Sequence, residues 1–331
     1  MHKIYLMAKI LGMGNALVDI MTKIPDDAIL EELKLPKGSM QLVDLETSGH
    51  VLEATEHLER ELTSGGSAAN TIHGLAMLGV ETSFVGKIGR DEYGEAFRAD
   101  LLQSGIHPQL LLSETHSGRA VALVSLDSER TFATHLGAAV ELSAEDLQSS
   151  QFQVYDYCHI EGYLVQNHEL LKKAVSLAKE NDVKVSIDMA SYNVVEENKT
   201  FLGPIIRDYV DIIFANEEEA IAYTGLEPAS ALDVLAEMCD IAVVKIGEAG
   251  SLIKQGENTY EVGVIEAKSV DTTGAGDLYA AGFLYGLTEQ YPMDKCGLMG
   301  SLLAGNIIEV IGAKMDKERW SNIINAINSN N

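Results

Sequence analysis

The run Asp271-Thr272-Thr273-Gly274-Ala275-Gly276-Asp277 sets small backbone units between two carboxylates, directly ahead of an apolar helical segment, Leu278–Leu287. The first N–H groups of a helix lack an internal partner, and the helix dipole adds partial positive charge there. Gly274 and Gly276 carry no β-carbon to hold an anion away from those amides. A carboxylate at Asp277 would then stand beside an anion cradle, placed to take a proton from an attacking hydroxyl. The same residues also suit plain helix capping, since Asp caps helices and Gly shapes turns. The rest of the chain has to decide between the two.

Outward from this run, short apolar stretches alternate with amphipathic ones. Strands are predicted at Ile10–Met13, Ser83–Gly86, Tyr155–Ile160, Val183–Asp188, Ile212–Ala215 and Ile241–Ile246. Helical patterns lie between them at Ala68–Leu78, Tyr93–Gln103, Glu169–Glu180, Glu217–Thr224 and Ala231–Met238, and again after Gly276, through Ala304–Ile311 to Asn328. Alternation of this kind predicts an α/β fold, a doubly wound, mostly parallel sheet with helices on both faces. Two stretches break it: residues 15–48, with Pro25, Pro36, Gly38 and a strand-like Met40–Asp44, and residues 117–136, a hairpin of Ala120–Leu126 and Arg130–His135 turning at Asp127-Ser128. They predict a small discontinuous β lid, leaving residues 1–14, 49–116 and 137–331 to the large domain. The Asn-rich end (Asn325, Asn328, Asn330, Asn331) is expected to fray.

Composition narrows the function classes. The 331 residues are 46% apolar, ample for a core, and carry a net charge of −26 from 24 basic and 50 acidic side chains. So acidic a surface argues against nucleic acid or an anionic membrane as partner. A phosphate substrate is still compatible, because local amides and a metal override the global field. The three cysteines, Cys158, Cys239 and Cys296, show neither metal-ligand spacing nor a disulfide framework, and the expectation is a reducing cytoplasm. No His-x-x-x-His pair suggests zinc, and no apolar run reaches the roughly 18 residues of a membrane helix. Lys9 interrupts the apolar N-terminus and no small-residue cleavage site follows, so no signal peptide is read; Met7 is a candidate alternative start.

A second glycine-bearing helix start, Gly65-Gly66-Ser67-Ala68-Ala69-Asn70, lets a ligand approach the backbone while Asn70 offers an amide. It is followed by Gly86-Lys87-Ile88-Gly89-Arg90-Asp91 and Gly94. Gly12-x-Gly14 has no third glycine at Leu17, which disfavours a dinucleotide fingerprint and with it a dehydrogenase.

Taken together, Gly65–Asn70 running to Gly86, Gly89, Asp91 and Gly94, and Asp271–Asp277 far downstream, resemble the two signatures of the PfkB (ribokinase-like) carbohydrate kinases, over nearly the whole chain. The resemblance implies a ribokinase-like fold and ATP-dependent phosphorylation of a primary alcohol on a sugar or ribonucleoside. It also implies Asp277 as catalytic base and Gly274, Ala275 and Gly276 as the anion hole, roles that suit a reaction needing positioning and charge stabilisation. Asn216-Glu217-Glu218-Glu219 matches the family's Asn-x-x-Glu motif, implying Asn216 and Glu219 near a largely hydrated Mg²⁺. Asp19, in Gly14-Asn15-Ala16-Leu17-Val18-Asp19, matches the substrate carboxylate, with Asn15, Gly65, Gly66 and Asn70 around the substrate hydroxyls. Lys245-x-Gly247-x-x-Gly250 resembles the nucleotide loop, and Asn306 is an adenine-side candidate. Asp271 and the backbone near Thr273 resemble a K⁺ site of some members, with a metal-free structural loop as the alternative, and Arg130 in the hairpin could reach the phosphates on closure.

The chain carries Ser67-Ala68 where ribokinases often carry Lys-Gly. That segment and Lys37-Gly38-Ser39-Met40-Gln41-Leu42-Val43-Asp44 resemble the adenosine kinase-like branch. That branch holds its purine between apolar and aromatic side chains; Gly162-Tyr163-Leu164-Val165 supplies one aromatic, so nucleoside and free sugar both stand. A catalytically silent sugar- or nucleoside-binding sensor on the same fold is the alternative reading. A homodimer through the exposed lid strands is a further expectation.

Overall fold

The computed structural model describes residues 8–127 and 129–329. Met7 as a start, Ser128 of the hairpin turn, and Asn330 and Asn331 lie outside the described residues. The chain runs through β1 (Lys9–Met13), β2 (Leu17–Lys23), α1 (Ala28–Glu32), β3 (Met40–Leu42), α2 (Leu45–Ala54), β4 (Arg60–Gly65), α3 (Ser67–Met77), β5 (Glu81–Gly89) and α4 (Glu92–Gln103). It continues through β6 (His107–Ser113), β7 (Gly118–Val124), β8 (Arg130–His135), β9 (Tyr157–Glu161), α5 (His168–Glu180), β10 (Lys184–Asp188), α6 (Tyr192–Tyr209), β11 (Ile212–Asn216), α7 (Glu217–Thr224) and α8 (Pro228–Ala236). The last third holds β12 (Ile241–Lys245), β13 (Ser251–Gln255), β14 (Asn258–Val262), α9 (Ala275–Thr288), α10 (Met293–Ile307) and α11 (Lys317–Ser329).

The main sheet has nine strands in the order β14-β13-β12-β11-β10-β9-β1-β5-β6. Every pairing from β6 to β12 is parallel, and β13 and β14 add an antiparallel edge. Period-two alternation along the strands divides the apolar side chains into two cores. Ile10, Phe214 and Val243 face the core built by α3, α9, α10 and α11, with Ile72, Leu278, Leu303 and Ile323. Leu11, Ile213 and Val244 face the opposite core, with Leu171 of α5, Val195 of α6, Ala220 of α7 and Leu232 of α8. This is the doubly wound architecture that the alternation predicts.

A second sheet of five strands, β3-β8-β7-β2-β4, sits beside the first. It is larger than the hairpin and single strand legible in the sequence. β2 pairs parallel to β7 and antiparallel to β4, so Arg60–Gly65, which the sequence places within the large body, joins the smaller sheet. Leu62 is the sole aliphatic in that strand, which leaves no periodicity to read. Val18, Ile20, Val121, Leu123 and Ala133 bury one face of this sheet in the same core as Leu30 and Val51.

Candidate functional site

Parallel strands all end at one edge, and ligands of open α/β sheets bind there, at the point where strand order reverses. β1 lies between β9 and β5, so its C-terminal end is that point. At this edge the last residues of four adjacent strands are polar: Glu161 of β9, Asp188 of β10, Asn216 of β11 and Lys245 of β12. Sequence reading singled out the latter two. It missed Glu161 and Asp188, although a lone acid closing an apolar strand was the available signal.

The N-termini of α3 and α9 converge on the same edge. Gly274, in a left-handed conformation at φ +72°, is the N-cap of α9, a geometry that costs a residue with a β-carbon. The Ala275 N–H turns back to the Thr272 carbonyl at 3.2 Å, so it does not point to a ligand as the resemblance implied. The Asp277 carboxylate accepts from Ser67 Oγ at 2.7 Å and from Asn70 Nδ2 at 2.9 Å. Burial pushes its carboxyl up to about 6, against those two hydrogen bonds, with the Asp188 charge pushing the same way. Lys245 Nζ lies 3.1 Å from where a β-carbon on Gly276 would stand, which sets an ammonium against the cradle. It donates to Asp188 at 2.9 Å. Burial opposes ionisation of both partners, yet their mutual attraction holds Lys245 above and Asp188 below the ordinary values.

Substrate-side residues are placed less as the resemblance implied. Asn70 commits its amide nitrogen to Asp277, and its Oδ1 is buried without a partner. Asn15 is buried and donates from Nδ2 to Glu161 at 2.6 Å, a bond that orders the loop after β1. Glu161 also accepts from the Ala68 N–H at 3.2 Å, and burial pushes its carboxyl up to about 7. Asp19 projects from β2, with its carboxyl raised by burial to about 6 against the pull of Lys314 and Arg130. Gly65 makes room for it: a β-carbon there would stand 2.3 Å from the Asp19 carboxylate. At Gly66 a β-carbon would meet the Asn15 carbonyl at 2.4 Å.

The metal and nucleotide assignments divide. Asn216 and Glu219 form a reciprocal capping box at the start of α7, with all three hydrogen bonds at 2.8 Å. The Asn-x-x-Glu spacing that suits a metal is also the spacing of that cap. Both Glu219 oxygens accept from Asn216, and burial, with the Asp188 charge, pushes its carboxyl up to about 7. Among the described residues no group of three His, Cys, Asp or Glu is placed to hold a metal ion. These donors fit a Mg²⁺ that keeps its waters and rides on phosphates, and do not fit an all-protein cage. Gly247 and Gly250 shape the turn from β12 to β13, and a β-carbon on Gly250 would stand 2.0 Å from the Val262 carbonyl. Asn306 donates to the Leu302 carbonyl at 2.9 Å and accepts from Arg319 at 3.3 Å, so its amide serves α10 and α11 rather than an adenine. Asp271 and Thr273 both accept from the Arg130 guanidinium, which fills the position expected for K⁺. The cause is tertiary: docking of the second sheet brings β8 against the loop before α9.

Two outcomes test this geometry. Gly65→Ala is expected to lower stability by about 1–3 kcal/mol through overpacking against Asp19. Adding Asp19→Ala should recover most of that loss in thermal melts, as a steric coupling requires. For Asp277 the folded-state value, about 6, lies above the ordinary 3.8. Its ionisation therefore removes stability as pH rises through that interval. Asp277→Asn should gain thermal midpoint relative to wild type between pH 4 and 6, roughly level above that. A pH-independent difference would contradict the burial assigned to the carboxylate.

Comparison with known proteins identifies the family. Residues 40–319 match the model of the pfkB family carbohydrate kinases. The chain is similar to an uncharacterised sugar kinase of Archaeoglobus fulgidus, 28% identical and covering 73% of this chain and 96% of that protein. It is also similar to the adenosine kinase of Saccharomyces cerevisiae, 25% identical over 95% of this chain and 98% of that one. Among solved structures, adenosine kinase from Sinorhizobium meliloti superposes with a TM-score of 0.85 at 33% identity, covering 97% of this chain and 99% of that one. A probable sugar kinase from Rhizobium etli gives 0.85 at 32% identity, covering 97% and 98%. No helix among the described residues is long and apolar enough to cross a membrane. With its sheet edge, two helix N-termini and central carboxylate, the chain belongs to the pfkB family of carbohydrate kinases.

Proposed function

We propose that this kinase transfers the γ-phosphoryl group of ATP to the primary hydroxyl of a ribonucleoside. The observation that favours a nucleoside over a free sugar is the face of the second sheet that carries Asp19. Cross-strand partners lie on one face of a sheet. Asp19 therefore shares its face with Ala120 and Thr134 in one row, and Met21, Ala122, Phe132 and Met40 form the next row. Leu42, opposite Thr134, extends it. Met40 is 56% and Leu42 63% exposed, an apolar surface left open beside the carboxylate that would hold hydroxyls. A ligand with a hydroxylated ring and a flat apolar base matches both halves. A hexose would leave the apolar half uncovered. Several similar proteins bear the name adenosine kinase, in keeping with this reading.

In the proposed reaction Asp19 orients the sugar hydroxyls and Asp277 accepts the proton of the attacking one. Its raised pKa suits a base working near neutrality. The start of α9 and the Lys245 ammonium face the negative charge of the transferring group. Mg²⁺, carried on the nucleotide phosphates, would add charge neutralisation there. Docking of the second sheet excludes water, which limits loss of the phosphoryl group to hydrolysis. No observation favours the silent sensor.

Asp277→Asn is expected to lower kcat by about 10²–10⁴-fold, with ADP affinity measured by calorimetry near that of wild type. Wild-type turnover in that variant would remove Asp277 from the role of base. The wild-type kcat/KM should rise with pH through about 6, as Asp277 loses its proton. An ADP-release screen over adenosine, inosine, cytidine, ribose and fructose should give the highest kcat/KM with a nucleoside. Met40→Ala should raise the nucleoside KM about tenfold while leaving kcat near wild type, the mark of uniform binding. Preference for a free sugar would overturn the nucleoside assignment, and silence on every alcohol would overturn the proposed reaction.

A further inference from the structure

Arg130 leaves the second sheet at the first position of β8 and is buried against the loop ahead of α9. Its side chain is 9% exposed and that of its partner, Asp271, 4%. One terminal nitrogen, Nη2, donates both to the Asp271 carboxylate and to the Thr273 hydroxyl. Asp271 and the backbone near Thr273 are what the family resemblance offered to K⁺. Backbone amides take up further acceptor capacity of the carboxylate: Thr273 N–H donates to Oδ1 at 2.9 Å and Gly312 N–H to Oδ2 at 2.7 Å. The guanidinium also lies over the Phe132 ring, 5.3 Å from its centroid, which fixes its approach.

A monovalent ion does not fit beside this arrangement. It would share one carboxylate with a cation that cannot lose its proton. Like charges at that spacing, out of bulk water, repel strongly. The loop nonetheless needs a positive partner, because an unpaired buried carboxylate at Asp271 would oppose both folding and the arrival of phosphates. The other terminal nitrogen, Nη1, is buried with no hydrogen-bond partner among the described residues. It is left for an oxygen acceptor that those residues do not supply.

We propose that Arg130 is a tethered cation of the cradle loop, standing where K⁺ would bind, so that the enzyme turns over without a monovalent ion. The cation arrives with the second sheet, so docking of that sheet and shaping of the loop are one event. Neither could be read from spacing, since Arg130 and Asp271 are far apart in the chain.

The test measures turnover in chloride salts of K⁺, Na⁺ and tetramethylammonium at equal ionic strength. Wild type should vary by no more than about twofold among them. Arg130→Met keeps an apolar stem and removes the charge; it should fall about 10²-fold or more in tetramethylammonium. K⁺, or guanidinium ion at low concentration, should restore much of that loss. Thermal midpoints measured without substrate should rise with K⁺ in Arg130→Met and not in wild type, and adding Asp271→Asn should abolish the response. Crystals soaked in Rb⁺ should show the ion between Asp271 and Thr273 in the variant alone. The turnover arm rests on the kinase reading; the thermal and Rb⁺ arms need no substrate and stand apart from it. Severalfold stimulation of wild type by K⁺, a Rb⁺ ion beside Asp271 in wild type, or an Arg130→Met protein indifferent to every cation in turnover and midpoint would each overturn the proposal. Should Arg130→Met fail to fold, the wild-type salt series and Rb⁺ soak decide it.

Discussion

Ser67, the first residue of α3, and Asn70, a turn later, both donate to the carboxylate of Asp277 in the first turn of α9. Thr71 adds a third bond, from its hydroxyl to the Asp277 carbonyl at 3.1 Å. Neither helix start can shift without breaking charge-assisted bonds, so two glycine-bearing segments from distant parts of the chain become one rigid unit. That unit is anchored in turn. Ala68 ties α3 to Glu161 at the end of β9, and Asp271 ties the approach to α9 to Arg130 of the second sheet. Position of the central carboxylate is thus inherited from the parallel sheet on one side and from the smaller sheet on the other.

The electrostatics follow from where strands end. Four neighbouring parallel strands deliver their last side chains to one edge, and two of those, Glu161 and Asp188, are buried acids, Asp188 paired with Lys245. Lys245 keeps Asp188 ionised, whereas Glu161, Glu219 and Asp277 are pushed by burial toward the neutral form. A cluster of fully charged carboxylates would repel a nucleotide. One in which burial favours the neutral form of several members repels it less and includes a group able to take up a proton. The overall charge of −26 therefore says little about this edge. Lys245, Arg130 and the α9 dipole set the local sign.

Legibility of the elements tracked their burial. β1, β5 and β9 to β12 are covered on both faces, so they read as short apolar runs. β2 is interrupted by Asp19 and ends in the polar Thr22 and Lys23, and β13 and β14 carry Lys254, Gln255, Asn258 and Glu261; none offers such a run. α6 hides behind Gly203-Pro204, a pair that normally ends helices. Val194, Val195, Ile205 and Ile206 are buried along it, and that packing carries the helix through the proline. The Asn216–Glu219 spacing was ambiguous by nature, because one helical turn serves a cap and a metal equally well.

The sequence by itself determined the α/β class, the two glycine-bearing helix starts and Asp277 at the head of α9. Each depends on residues adjacent in the chain, where backbone conformation and side-chain periodicity are local properties. Only the tertiary structure decided what Asn15, Asn70 and Asp271 do. Asn15 was bound to Glu161, Asn70 to Asp277 and Asp271 to Arg130, each partner supplied by a different element. A polar side chain withdrawn from water must find a partner, and which one it finds is set by the packing of sheets and helices that spacing along the chain does not encode.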